Sequence, residues 1–314
     1  MVRHQRSRSP RRSLQSFASS FDPKVWKEAF DASLPRSAER RSLRAAIFEE
    51  TLRAARAGTY VMRPNWHVTL GSSVLPVPSQ PFPPVPSPAG VQPIDGWPTK
   101  VYIENLDTLE AARRLIFERD FSNVLVLNLA NAFKRGGGVR GGSEGGAQEE
   151  SLCRRSNLYE HLATVPYPHP DGGGVLSRGV EVFRGPEAEG YPFLPVPFTV
   201  DVLSVGAEHL DRVRQHTRAE SERFRLRIRR LLQMMVFVRN TSNVGSESFA
   251  TVLGALGCGA YNNRPQDVAA LFAEEMERFP ALGTVVFAIL DDAKSPEGGS
   301  LASFRAAFVQ SESV

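Results

Sequence analysis

The sequence predicts an α/β protein in which a mixed, largely parallel sheet is sandwiched between helices. Three observations predict it. Apolar runs of strand length, VLVLNLA at Val124–Ala130 and TVVFAIL at Thr284–Leu290, read as strands buried on both faces. Segments with helical spacing lie between the strands, which is the alternation that parallel sheets require. Glycine-rich stretches follow two of the strands, where α/β folds place their ligand loops.

The elements follow in chain order. Residues 1–36 read as a basic tail, because Arg3, Arg6, Arg8, Arg11 and Arg12 all precede the first acid, Asp22. Its Arg- and Ser-rich composition suits a transit peptide, a nuclear signal or a plain disordered tail. Ser37–Thr59 reads as a helix, with Leu43, Ala46, Ile47 and Leu52 at helical spacing and Gly58 as the stop. Leu75–Gly90 (LPVPSQPFPPVPSPAG) is too rich in proline for a helix or a central strand and reads as a spacer. Residues 37–98 are therefore an accessory helix plus a Pro-rich segment, an N-terminal extension to the sandwich.

The strand–helix alternation begins near Thr99. Leu106–Arg119 reads as a helix, Val124–Ala130 as a strand, Gln148–Leu162 as a helix, and Val180–Arg184 and Thr199–Val205 as strands. Arg218–Val238 is a long amphipathic helix with Phe224, Ile228, Leu231, Leu232 and Met235 on its apolar stripe. Phe249–Gly257 reads as a strand, Pro265–Phe279 as a helix with proline in its first turn, and Thr284–Leu290 as the last strand. The catalytic domain is set at residues 99–295 and a C-terminal tail at 296–314.

Composition narrows the function. The chain is 41% hydrophobic and 23% charged over 314 residues, as a globular protein is. Its net charge of +4 resides in the tail; removing the five tail arginines leaves about −1, so the body has no basic bias toward nucleic acid. Cys153 and Cys258 are too few for a disulfide framework, no apolar run reaches membrane-spanning length, and the N-terminus lacks a secretory apolar segment. The expectation is an intracellular protein, cytoplasmic or nuclear, with no membrane contact. The six histidines, His4, His67, His161, His169, His209 and His216, have no metal-ligand spacing, so no metal is expected.

Two loops carry the chemistry. The first follows the strand ending at Ala130 and runs through Gly136, Gly137 and Gly138 to Gln148, Glu149 and Glu150 at a helix start. Three glycines permit positive φ and close ligand approach, although alone they also suit a flexible turn. Carboxylates in a first helical turn are favoured by the helix dipole in any case. The second loop, GALGCGAYNNRP at Gly254–Pro265, joins a strand to a helix and offers free N–H groups to a phosphate, or is simply a tight connection.

In combination these loops resemble the poly(ADP-ribose) glycohydrolases of the microbial type, whose signature is GGG, a short gap and QEE, followed later by GCGAF and an asparagine. Here the gap, Val139–Ala147, is nine residues and longer than usual in the family, and GCGAYNN puts Tyr261 where phenylalanine is more common. The resemblance extends to ETLRAARAGTYV at Glu50–Val61, to VEVFR and to VVFAILD at Val285–Asp291, covering roughly residues 37–292.

The resemblance implies a three-layer α/β/α macrodomain-like fold and hydrolysis of the ribose–ribose O-glycosidic bond of poly(ADP-ribose), with no cofactor. It assigns Glu150 as the acid and base, Glu149 to the neighbouring ribose hydroxyls and Asn131 to the terminal ribose. Gly136, Gly137, Gly138 and Val139 would pack on the reacting ribose and the phosphates, with Gln148 also at the substrate. Gly257, Cys258, Gly259, Ala260, Tyr261 and Asn262 would wrap the diphosphate. The implied partners are poly(ADP-ribose), ADP-ribose and ADP-ribosylated proteins, without direct nucleic-acid binding. Two alternatives share the fold: a macrodomain that binds ADP-ribose without cleaving it, and a hydrolase of single ADP-ribose units on proteins. The intact QEE favours the polymer-cleaving enzyme.

Overall fold

The computed structural model describes residues 21–63, 66–71, 79–82, 99–142, 147–169, 172–242, 248–279, 282–290 and 299–308. The tail arginines, most of the Pro-rich spacer and residues 143–146 of the long glycine gap lie outside the described residues.

Among these residues seven strands form one sheet. They are β3 (Gln80–Phe82), β4 (Lys100–Glu104), β5 (Asn123–Ala130), β6 (Gly174–Arg184), β7 (Phe193–Gly206), β8 (Phe249–Leu253) and β9 (Thr284–Ala288), in the order β3-β6-β7-β5-β8-β9-β4. The run from β7 to β4 is parallel, while β6 pairs antiparallel with β7 and with β3. The predicted mixed, largely parallel sheet is therefore found. Two further strands, β1 (Thr59–Arg63) and β2 (Trp66–Thr69), make a separate hairpin. The sequence reading named none of β1 to β4.

Helices cover both faces. On one side α6 (Arg218–Asn240), α7 (Pro265–Met276) and α8 (Ser300–Phe308) bury Phe224, Ile228, Phe272 and Phe304 against Leu125 and Leu127 of β5. On the other, α2 (Ala38–Ala57), α3 (Thr108–Arg119), α4 (Gln148–Arg155) and α5 (Leu158–Leu162) pack Phe48, Leu109, Leu152 and Leu158 onto Val124 and Val126 of the same strand. Alternate residues of β5 thus enter two different cores, which is why its sequence is apolar throughout.

Three expectations need correction. The segment read as the end of a tail is helical over α1 (Pro23–Ala32): Asp22 caps it by accepting from Lys24 N–H at 2.8 Å, and Trp26 and Phe30 bury themselves against Leu43, Ile47 and Tyr191. The segment read as a C-terminal tail holds α8, whose Leu301, Phe304 and Phe308 belong to the main core. The long helix expected over Gln148–Leu162 is interrupted at Ser156. There the chain docks on β6, with Asn157 N–H donating to the Glu181 carbonyl at 3.1 Å and Asn157 Oδ1 accepting from Glu181 N–H at 2.9 Å.

The extension is also more than an accessory. Gly142, at φ +62°, lies so close to α2 that a Cβ there would sit 1.8 Å from the Arg41 carbonyl oxygen. Helix α2 is a wall of the glycine loop.

Candidate active site

Strand β5 delivers the chain to the carboxyl edge of the sheet, and α4 begins beside it. The three residues that open α4 do three different things. Gln148 turns its amide back into the fold: Oε1 accepts from Leu129 N–H at 2.8 Å, and Nε2 donates to the Leu127 carbonyl at 2.6 Å and to Thr108 Oγ1 at 3.2 Å. It staples α4 to β5. Its expected place at the substrate is thereby corrected, because both ends of the amide serve the strand.

Glu149 is 3% exposed. Its carboxyl accepts from Asn131 N–H at 2.8 Å, from Asn128 Nδ2 at 3.4 Å and from the Gly136 N–H. Asn128 is itself fixed by donating to Ser204 Oγ at 3.0 Å. Burial pushes the Glu149 carboxyl up to about 8, aided by the neighbouring Glu150 and opposed by the donated hydrogen bonds.

Glu150, 7% exposed, is bound differently. Oε1 accepts from Gly138 N–H at 2.8 Å, while Oε2 makes no hydrogen bond to any described residue. Of two adjacent carboxyls, one is held by three N–H donors and the other by one, which leaves it an oxygen with no partner among the described residues.

The triple glycine is dictated largely by these neighbours. Gly136 and Gly137 have φ of +63° and +55°; a Cβ on Gly136 would lie 2.9 Å from the Tyr159 ring, and one on Gly137 would lie 2.5 Å from Glu150 Oε1. Gly138 contributes its N–H to Glu150. Val139 does not line the site as expected: its side chain is fully buried beside Phe48 and Tyr159, and its N–H donates to the Gly136 carbonyl. Asn131 spends Oδ1 on the N–H groups of Phe133 and Lys134, each at 2.9 Å, and its Nδ2 has no partner among the described residues.

The second loop leaves β8 at Leu253, four residues before the expected strand end, because Gly257 turns at φ +76°. Its hub is Asn263, which the sequence reading missed. Nδ2 of Asn263 donates to the carbonyls of Glu208 at 2.8 Å and Gly257 at 3.1 Å, and Oδ1 meets His216 Nε2 at 3.1 Å. Asn262, expected on the diphosphate, instead donates Nδ2 to the Leu210 carbonyl at 2.9 Å. The Cys258 thiol is turned toward the Leu256 carbonyl and raised by burial, so it offers no thiolate.

What faces outward is the run Gly259, Ala260 and Tyr261. Gly259 is exposed, a Cβ there would meet nothing within 4 Å, and the three N–H groups donate to no described residue. Tyr261 is half-buried, and its hydroxyl is raised by burial and then by the charges of Glu149 and Glu150, so the two loops share one electrostatic field. Across the sheet order, β8 neighbours β5, so the amide run flanks the acid pair. Among the described residues no cluster of His, Cys, Asp or Glu is placed to hold a metal ion.

A family model described as the catalytic domain of microbial-type PARG matches residues 48–171. No curated protein matches the chain. Among solved structures, the poly(ADP-ribose) glycohydrolase of Thermomonospora curvata is 28% identical with a TM-score of 0.68, over 84% of this chain and 99% of that one. The Deinococcus radiodurans enzyme in complex with ADP-ribose is 27% identical with a TM-score of 0.61, over 82% and 97%. A point variant of the Deinococcus enzyme, also with ADP-ribose, is 30% identical with a TM-score of 0.56, over 68% and 86%. Identity at that level across most of a solved relative, on the same fold, means that this chain belongs to the microbial-type poly(ADP-ribose) glycohydrolases.

Proposed function

We propose that this protein releases ADP-ribose from poly(ADP-ribose) by hydrolysing the ribose–ribose O-glycosidic bond, with Glu150 as the acid and then the base. The observation that carries this reading is the unequal state of the two carboxyls. Glu150 has one oxygen tethered to Gly138 and the other free for proton transfer, while Glu149 is held by the loop. The reaction passes through an oxocarbenium-like state, so a proton must reach the departing ribose oxygen as the bond breaks. The Glu150 carboxylate then takes a proton from the water whose oxygen bonds to the anomeric carbon, and the carboxyl is restored.

The other residues bind and orient. Asn131 Nδ2 and the Glu149 carboxyl meet ribose hydroxyls, and the amides of Gly259, Ala260 and Tyr261 meet the diphosphate. The tyrosine ring packs on the ribose. Placing the diphosphate near the developing positive charge stabilises it electrostatically. Polymer carried on ADP-ribosylated proteins is the substrate in this reading, with no membrane and no direct nucleic-acid contact involved.

The test is the variant Glu150→Gln. The amide preserves shape but cannot transfer the proton, so ADP-ribose should bind as before while release of ADP-ribose from purified polymer falls about 100-fold or more. Near-normal hydrolysis would refute the assignment. Running the wild type on mono-modified protein alongside polymer separates a polymer hydrolase from a hydrolase of single units, and binding without turnover on either would make it a reader.

A further inference from the structure

Beside the catalytic turn lies a second cluster that the mechanism does not use. Arg135, immediately before the triple glycine, is held between two rings: its guanidinium carbon is 5.5 Å from the Tyr159 centroid and 6.0 Å from the Tyr167 centroid. Tyr167 in turn packs against His169, the rings tilted at 41° with centroids 4.1 Å apart, and the His169 backbone N–H donates to the Ala132 carbonyl at 2.8 Å. The cluster is thereby tied to the loop that carries Asn131.

Four buried polar atoms in this cluster have no hydrogen-bond partner among the described residues: Arg135 Nε, Tyr167 Oη and both ring nitrogens of His169, a residue only 7% exposed. Buried polar groups are almost always satisfied, and each orphan is costly. Four together mark a place built for a polar ligand. Arg135 also has no acidic partner among the described residues, unlike Arg140 on the same loop, which reaches Glu49 as well as Tyr159 Oη. An arginine stacked by aromatics and left without a counter-charge suits a phosphate oxygen, which it can meet with a planar pair of N–H groups.

Topology says which phosphate. The amide run of the second loop follows β8, on one side of β5. His169 lies just ahead of β6, and because β6 runs antiparallel to β7, with Val175 opposite Ser204, its start lies at the carboxyl edge on the other side of β5. The acid pair sits between the two. Burial, and after it the charge of Glu149, raises the Tyr167 hydroxyl, which places Tyr167 within reach of that acid's field. A substrate whose terminal diphosphate lies over the second loop therefore crosses the acids and continues toward Arg135.

We propose that Arg135, braced by Tyr159, Tyr167 and His169, binds a phosphate of the ADP-ribose unit beyond the scissile bond and so favours polymer over single units. This rests on the glycohydrolase reading above. The experiment uses the full chain and the variants Arg135→Gln and Arg135→Lys, with steady-state hydrolysis of purified polymer, titration with ADP-ribose, and polymer binding in the Glu150→Gln background, where turnover does not interfere. Arg135→Gln should raise KM for polymer about tenfold, or more, and weaken polymer binding in that background equally, while ADP-ribose affinity stays as in the parent. Arg135→Lys, which keeps the charge but not the planar fork, should recover part of the loss. An unchanged polymer KM and polymer affinity would overturn the proposal. An equal loss of ADP-ribose affinity would also overturn it, since the phosphate would then be that of the terminal unit. Absence of polymer hydrolysis by the wild type would sink the glycohydrolase reading instead, and the Glu150→Gln binding comparison would still report on Arg135.

Discussion

At the scale of single residues, the glycines of the two loops have different reasons to be glycine, and this is testable. Gly137 has a positive φ and faces Glu150 Oε1, so alanine there strains the backbone and pushes the acid aside. Gly137→Ala should lower polymer hydrolysis about 100-fold, since small misplacements of a catalytic group are expensive. Gly259 faces open space and needs no positive φ. Gly259→Ala should leave thermal stability within about 0.5 kcal/mol while weakening ADP-ribose binding about tenfold in a calorimetric titration. Equal behaviour of the two variants would contradict the division drawn here. Glu149 makes a third case. Its folded value of about 8 lies above the ordinary 4.5, so between these pH values the folded chain holds a proton that the unfolded chain has released. The contribution of this one group to stability then falls as pH rises from about 4.5 toward 8, with a slope of up to about 1.4 kcal/mol per pH unit. Unfolding curves of Glu149→Gln should lack that component of the slope. The QEE triplet was readable in the sequence as a triplet. That Gln148 staples a strand, Glu149 holds the loop and Glu150 keeps a free oxygen was not, because each role depends on partners from β5 and the glycine turn.

At the scale of elements, helices with strong local signals were legible and those entangled with the sheet were not. The helix beginning after Ser37 starts at Ala38 and stops at Gly58, which adopts the left-handed conformation expected of a stop. The break between α4 and α5 escaped notice because its cause, pairing of Ser156 with Val182, is a long-range contact. The two segments read as tails had usable local cues, Asp22 before Pro23 with Trp26 and Phe30 one turn apart, and Leu301, Phe304 and Phe308 on one stripe. Those cues yield to no packing argument until the core they join is known. Phe304 is fully buried against Phe272 and Phe287, so Phe304→Ala should destabilise the protein by about 3–5 kcal/mol in denaturant titration. A cost near zero would restore the tail.

At the scale of the whole molecule, the site is a consequence of strand order. β5 stands between β7 and β8, so the loop after β5 has the phosphate-type amides on one flank and the Arg135 cluster on the other. On the proposed reading, a polymer with repeating diphosphates crosses both flanks, with the acids between them. By itself the sequence determined the α/β class, the largely parallel sheet, the two glycine-rich loops and the family resemblance, because hydrophobic period and short motifs are written in adjacent residues. Only the tertiary structure decided which motif residues face substrate and which face the fold, sending Val139 to the core, Gln148 to β5 and Asn262 to the Leu210 carbonyl. It also brought Arg135, Tyr167 and His169 together, with Arg135 Nε, Tyr167 Oη and both His169 ring nitrogens lacking a hydrogen-bond partner among the described residues. The physical reason is that burial and hydrogen-bond satisfaction are properties of packed neighbours, and those neighbours are distant in the chain.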